Sequence, residues 1–203
     1  MGKPSVKTRA LKGQAVRQYN DMRLNLFDLE FCNRILIENI AILRGKPSDM
    51  YTALWIAVLT KFFACFGDSE SRRTLNPKKV FKNNEVAMIA FRRLQNIRNK
   101  HIVHDANNIY QSNAVIQIID GNVDKDFKCI IVGSSFVDTE MDRLMMLIDV
   151  SISHVSNAIG NLANTIKGDL EEMSVEDILQ LKEWHYDAKA AMFDVGENRI
   201  RFD

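Results

Sequence analysis

The residues best equipped for chemistry lie together in one octapeptide, Arg98 to Asp105, RNKHIVHD. It gathers a guanidinium, a carboxamide, an ammonium and two imidazoles, and no other stretch crowds so many useful side chains together. An imidazole with an unperturbed pKa of ~6.5 gives or takes a proton near neutrality. A guanidinium stays charged and presents forked N–H donors that match phosphate oxygens. Arg98 with His104 thus supplies the two functions a metal-free reaction at phosphorus needs, charge stabilisation and proton transfer. Two other readings apply to the same residues. His101 and His104 can be core histidines bonding backbone carbonyls while Asp105 caps the helix end, or they can join Asp105 as metal ligands. The doublet His104-Asp105 is similar to that of HD-domain phosphohydrolases, but these need a further upstream histidine, and His101 is the first in the chain. No metal site is therefore expected. His154 and His185 fall in amphipathic segments and read as structural.

The element that must position this cluster is the preceding helix. Asn83 and Asn84 are good N-cap residues, Glu85 suits the positive end of the helix dipole, and neither Gly nor Pro interrupts the next twenty residues. Apolar residues at Val86, Ile89, Ala90, Leu94 and Ile97 recur near the 3.6-residue period. Extending that stripe reaches His101 and His104, which places both imidazoles on or beside the buried face. Arg98 and His104 are six positions apart, and on an ideal helix their side chains leave the axis about 120° apart. They can act together if the helix ends near Ile102 and the chain turns, or if they meet across a two-fold axis that doubles each group.

The octapeptide resembles the signature of the HEPN superfamily, an Arg, a polar residue and then a His after four to six intervening residues. Here Arg98 is followed by Asn99, and five residues separate Arg98 from His104. The wording is similar to that of HEPN proteins of bacterial abortive-infection and toxin systems. The resemblance implies a small antiparallel helical bundle, a homodimer with a composite site, and metal-independent endoribonuclease activity in antiviral defence, with an antitoxin protein as a further partner. It covers few residues, and nothing outside the motif is carried over.

On that reading, His104 transfers the proton and Arg98 steadies the phosphorane as the ribose 2′-hydroxyl attacks, leaving a 2′,3′-cyclic phosphate. Asn99 orients phosphate or ribose, Lys100 attracts the backbone, and His101 is a second proton carrier, a base-stacking residue or a core histidine. No cofactor is expected. The alternative is a helical module that grips RNA, a nucleotide or a protein without turnover.

Charge is nearly balanced overall at +1 but unevenly spread. Between Ser71 and Lys100 there are nine basic residues and a single acid, Glu85. Residues 3–23 add six basic and one acidic, whereas residues 169–187 carry seven acids and one lysine. Charge runs are ordinarily solvated faces, yet a basic region beside the motif suits a polyanion. Arg72, Arg73, Lys78 and Lys79 are the expected RNA contacts. Arg92 and Arg93 read as solvated-face residues unless RNA reaches them, and Arg93 is kept in the RNA-binding set on that condition.

The remaining chain predicts one mainly α-helical domain at residues 15–195, between a mobile basic arm at 1–14 and a tail at 196–203. A first helix over Val16 to Leu43 carries two apolar stripes, Leu24, Phe27, Phe31 and Ile35, and Leu29, Cys32, Leu36, Ile40 and Leu43, hence partners on two sides. Met50 to Phe66 is apolar nearly all round, as a central helix is. Residues 68–82 form a long loop or a short broken helix. Ala114 to Ile119 and Phe127 to Val132 are β-prone runs flanking Asp120-Gly121, which predicts a small β-hairpin insertion at about 114–133. Thr139 with Asp142 forms a capping box for a helix from Glu140 to about Ile166, closed by Gly168, with Leu144, Leu147, Ile148, Ser151, Ile152, Val155, Ala158 and Ile159 as its core stripe, and Ser174 with Asp177 caps a last helix to about Phe193.

Three scattered cysteines without a C-x-x-C pair suit a reducing cytoplasm. No secretory h-region or myristoylation pattern is present at the start. Ala53 to Phe66, the most apolar segment, is short for a crossing that needs ~20 residues, so no membrane partner is expected.

Overall fold

A computed structural model describes residues 8–40, 49–69, 72–103, 110–115, 118–119, 122–123, 128–133 and 137–184. The protein is mainly helical. Helix α1 (Gln14–Ile35) continues into a wide π-turn at Leu36–Ile40, α2 spans Asp49–Ala64, α3 is the short Pro77–Val80, and α4 spans Glu85–Ile97. A second π-turn, Arg98–Val103, prolongs α4. After the strands come α5 (Val137–Glu171) and α6 (Val175–Gln180).

Helix α1 enters through Gly13, whose φ of 121° is a conformation only glycine adopts without strain. It packs most extensively on α5, and α2 and α4 complete the core. Leu29 and Cys32 of α1 and Leu36 of the π-turn that follows it are fully buried with Val58, Leu59 and Phe62 of α2 and Leu144, Leu147 and Ile148 of α5. Of the two expected stripes, Leu29, Cys32 and Leu36 of one are covered, while the Ile40 side chain and Leu43 lie outside the described residues. Phe31 and Ile35 pack against the core, but Leu24 and Phe27 stay largely exposed.

The phase of α4 matches the periodicity reading at Ala90 and Leu94, with Ile97 packed on the core, and departs from it at Val86 and Ile89. Ala87, Ala90, Phe91 and Leu94 are buried, and Val86 and Ile89 face solvent. The aromatic cluster decides which residues join Ala90 and Leu94 on the inner face. Phe91 lies 5.1 Å from Phe63, 5.0 Å from Phe66 and 5.4 Å from Phe81, ring centre to ring centre. One large ring buries more apolar surface than Val86 could, so α4 turns Phe91 inward.

The segment between α2 and α4 is more fixed than a free loop. Leu75 is buried and donates its N–H to the Cys65 carbonyl at 2.7 Å, and Asn25 Nδ2 reaches the Arg73 carbonyl at 3.0 Å. Asn76 caps α3, with its side chain accepting from Lys78 N–H at 2.9 Å. Asn84 caps α4 in the same way, accepting from Ala87 N–H at 3.0 Å.

At the ends, residues 8–10 depart from the expected free arm. Ala10 donates to the Lys182 carbonyl at 2.9 Å, Trp184 donates to the Thr8 carbonyl at 3.1 Å, and Arg9 Nη1 donates to the Leu181 carbonyl at 2.9 Å. The Ser174 hydroxyl caps α6 by accepting from Asp177 N–H at 3.0 Å. That helix ends at Gln180 rather than near Phe193. Helix α5 starts before Thr139 and runs past Gly168, so neither residue bounds it.

Strand β1 (Tyr110–Val115) pairs antiparallel with β4 (Lys128–Gly133), Ala114 opposite Cys129, and β2 (Ile118–Ile119) pairs with β3 (Asn122–Val123). The pairing therefore begins before the expected Ala114, and Asp120-Gly121 lies outside the described residues. Among the described residues no helix is long and apolar enough to cross a membrane.

Candidate functional site

The motif segment begins where α4 stops being α-helical. Arg98 follows Leu94 by four residues and Ala87 by eleven, so it continues the buried stripe of α4. Its side chain is held accordingly. Arg98 is half-buried, its Nε is enclosed without a hydrogen-bond acceptor, and Nη1 donates to Asn99 Oδ1 at 3.0 Å. An unmet buried guanidinium donor costs about 1–3 kcal/mol or more. Burial at one end and Asn99 at the other restrict how this guanidinium can turn.

From Arg98 to Val103 the backbone closes i→i+5 turns, whose hydrogen bonds span one residue more than those of an α-helix. The 3.6-residue register carried forward from Leu94 is lost there, so an ideal-helix angle between Arg98 and a later histidine does not apply. Wide turns of this kind cluster at functional sites. Lys100 is exposed, and the backbone of His101 lies within the turn. The surroundings of the His101 side chain, and His104 and Asp105 altogether, lie outside the described residues. Among the described residues, no three His, Cys, Asp or Glu side chains converge as a metal site.

The expected RNA contacts divide by what holds them. Arg72 is not a solvent-facing cation. Its side chain is 12% exposed, and Nη2 sits 2.6 Å from Asp28 Oδ2, with Lys61 Nζ 2.8 Å from the other oxygen of the same carboxylate. This network ties the post-α2 segment to α1 and α2. Arg73, Lys78 and Lys79 are exposed.

Arg93 is joined to a residue the periodicity reading passed over. Its Nε donates to Glu140 Oε1 at 2.7 Å, and Arg143 Nη1 donates to the same oxygen at 2.6 Å. Glu140 is fully buried, and the Arg93 and Arg143 side chains are 58% and 46% exposed. A signal for Glu140 does exist in the sequence. Glu140, Leu144, Leu147 and Ile148 follow the i, i+4, i+7, i+8 spacing of one helical face, so a carboxylate stands on the core stripe of α5 and requires a cation there.

Cys32 and Cys65 are both buried and not disulfide-bonded. Burial pushes each thiol up to about 12, which leaves them protonated and inert at neutral pH.

The chain matches no protein-family model, no curated protein and no solved structure.

Proposed function

We propose that the chain is a metal-independent endoribonuclease of the HEPN type, acting as a toxin or defence effector in the cytoplasm. The observation that carries this reading is the state of Arg98, half-buried, bonded to Asn99 and enclosing a donor with no acceptor, at the mouth of a π-turn that leads to His104. A permanent cation held in a restricted orientation is what a developing phosphorane needs, because donors that need not reorganise act in full at the transition state.

In this mechanism the ribose 2′-hydroxyl attacks the adjacent phosphorus, and the bond to the 5′-oxygen breaks to leave a 2′,3′-cyclic phosphate. His104 moves the proton, Arg98 balances the equatorial charge, and Asn99 keeps the guanidinium in place. His101 or a symmetry-related His104 completes the acid–base pair. The fold proposed is an antiparallel HEPN-like bundle with a β-hairpin insertion. A homodimer in which the motif segments of two chains meet is expected from the resemblance, because a two-fold axis doubles each group of the motif. An antitoxin protein is the expected silencing partner.

The test is incubation of purified protein, free of any co-purifying partner, with total RNA in EDTA. Cleavage to cyclic-phosphate ends that disappears in both Arg98→Ala and His104→Ala, with helical circular dichroism unchanged, supports the reading. Cleavage retained in both variants dismisses it and leaves the non-catalytic binding module.

A further inference from the structure

Arg93 and Arg143 come from different helices, one on α4 and one on α5, and both bond the same atom, Glu140 Oε1. Two donors on one oxygen are necessarily within two hydrogen-bond lengths of each other, close enough for both guanidiniums to share one phosphate group. The carboxylate beneath them is fully buried, while both arginine side chains are about half open to solvent. Each guanidinium carries five N–H donors, and among the described residues Glu140 engages Nε of Arg93 and Nη1 of Arg143. The trio holds two positive charges against one negative, so an arriving anion relieves the repulsion between the arginines. Because both are already anchored, little side-chain entropy remains to be lost when the anion binds.

The face around this pair extends the case. Arg92, Gln95, Asn96 and Lys100 are all exposed on α4 and its continuation. Beyond Glu85 this helix has no carboxylate up to Lys100. The surface therefore offers cations and amide donors along a line, which suits a run of phosphodiesters better than a single small anion.

The geometry points to a second phosphate-binding subsite, an arginine clamp formed by Arg93 and Arg143 on buried Glu140, that grips the ribose-phosphate backbone of single-stranded RNA away from the cleaved bond. The identity of the ligand rests on the ribonuclease reading; the clamp itself rests on the paired arginines. Arg143 and Glu140 act here in binding and positioning, and neither is a catalytic residue.

The experiment uses the full chain and a short fluorescent RNA, 2′-O-methylated throughout so that it cannot attack its own backbone, with binding followed by anisotropy over a range of salt. Arg143→Gln should weaken binding about tenfold and flatten the plot of log affinity against log salt by about 0.7, the loss expected for one phosphate contact on a single strand. Arg143→Lys should recover the slope but only part of the affinity, because an ammonium lacks the fork. Arg93→Gln should behave as Arg143→Gln does. Since Arg93→Gln strips a cation from a buried carboxylate, its melting curve is taken alongside, and Arg143→Gln, which keeps the Arg93 pair, is the decisive variant if Arg93→Gln does not fold. His104→Ala should bind the probe as wild type does while losing cleavage of unmodified RNA. Wild-type affinity and slope in folded Arg143→Gln would overturn the clamp and leave the nuclease reading standing. Failure of the wild-type protein to bind the probe even at low salt would overturn the clamp too, with the cleavage assay then deciding the nuclease reading independently.

Discussion

Arg93 Nε lies 2.7 Å from Glu140 Oε1, a contact that fastens the helix leading into the motif to the first turns of α5. Glu140 is the more consequential partner, because its carboxylate is fully enclosed whereas the arginine retains access to water. Its second oxygen, Oε2, is buried without a hydrogen-bond partner.

Glu140→Gln should destabilise the protein by about 1–3 kcal/mol, since it removes the negative charge that the two arginines face and leaves an amide N–H group in an enclosed site. Urea unfolding checks this, and an unchanged midpoint would show that the ion pairs merely offset their desolvation. Arg143→Ala should cost less, within about 1 kcal/mol, because its side chain is half exposed and solvent screens the pair.

Asp28→Ala should be the more damaging change at the other ion network. It leaves Arg72 almost buried without its carboxylate, and a cost of about 2–4 kcal/mol follows, discounted because the second partner, Lys61, is 44% exposed. The same variant should release residues 72–76 from α1, seen as faster amide exchange at Leu75, whose N–H bonds the Cys65 carbonyl in the native fold. Slow exchange at Leu75 in the variant would show that the segment is held without Asp28.

Native protein at neutral pH should leave Cys32 and Cys65 unmodified by a thiol reagent, and both should react once urea unfolds the chain. The raised thiols also set an alkaline limit. Each has an ordinary value of 9.0 and a folded value of about 12. Below 9 both states keep the proton and stability is unaffected. As pH rises from 9 toward 12 the unfolded chain loses protons that the folded chain holds, so stability falls over that window. Denaturant midpoints measured at pH 8 and pH 10.5 test the sign, and Cys32→Ala with Cys65→Ala should reduce the difference.

Asn84→Ala should cost about 1 kcal/mol, the usual loss when a side-chain cap is removed from a helix N-terminus. Because α4 carries Arg98 at its far end, the ribonuclease reading adds that cleavage should fall less than in Arg98→Ala, which differential scanning calorimetry and the cleavage assay can separate.

Arg98→Lys sorts charge from shape at the proposed site. Lysine keeps the positive charge but cannot reproduce the planar contact with Asn99. Cleavage should drop at least tenfold while the affinity for the 2′-O-methylated RNA stays near wild type; equal cleavage by Arg98→Lys would reduce the role of Arg98 to charge alone.

The sequence by itself determined where helices form and several of their boundaries. Asn84 and Ser174 announce their caps, α2 is apolar nearly all round, and Leu144, Leu147 and Ile148 mark the inner face of α5, because each of these signals acts over a single turn or repeats along one helix. It placed Ala90 and Leu94 on the inner face of α4 but could not determine whether Val86 and Ile89 or Ala87 and Phe91 join them there, a choice made by the rings of Phe63, Phe66 and Phe81. Tertiary structure also decided that Arg98 belongs to the buried side, that Arg72 answers Asp28, and that Arg93 and Arg143 share Glu140. The Arg72–Asp28 and Arg93–Glu140 pairs join residues more than forty positions apart. A periodicity shows that a face is apolar, but which charge is drawn to which is set by the low-dielectric interior that forms only when the helices meet.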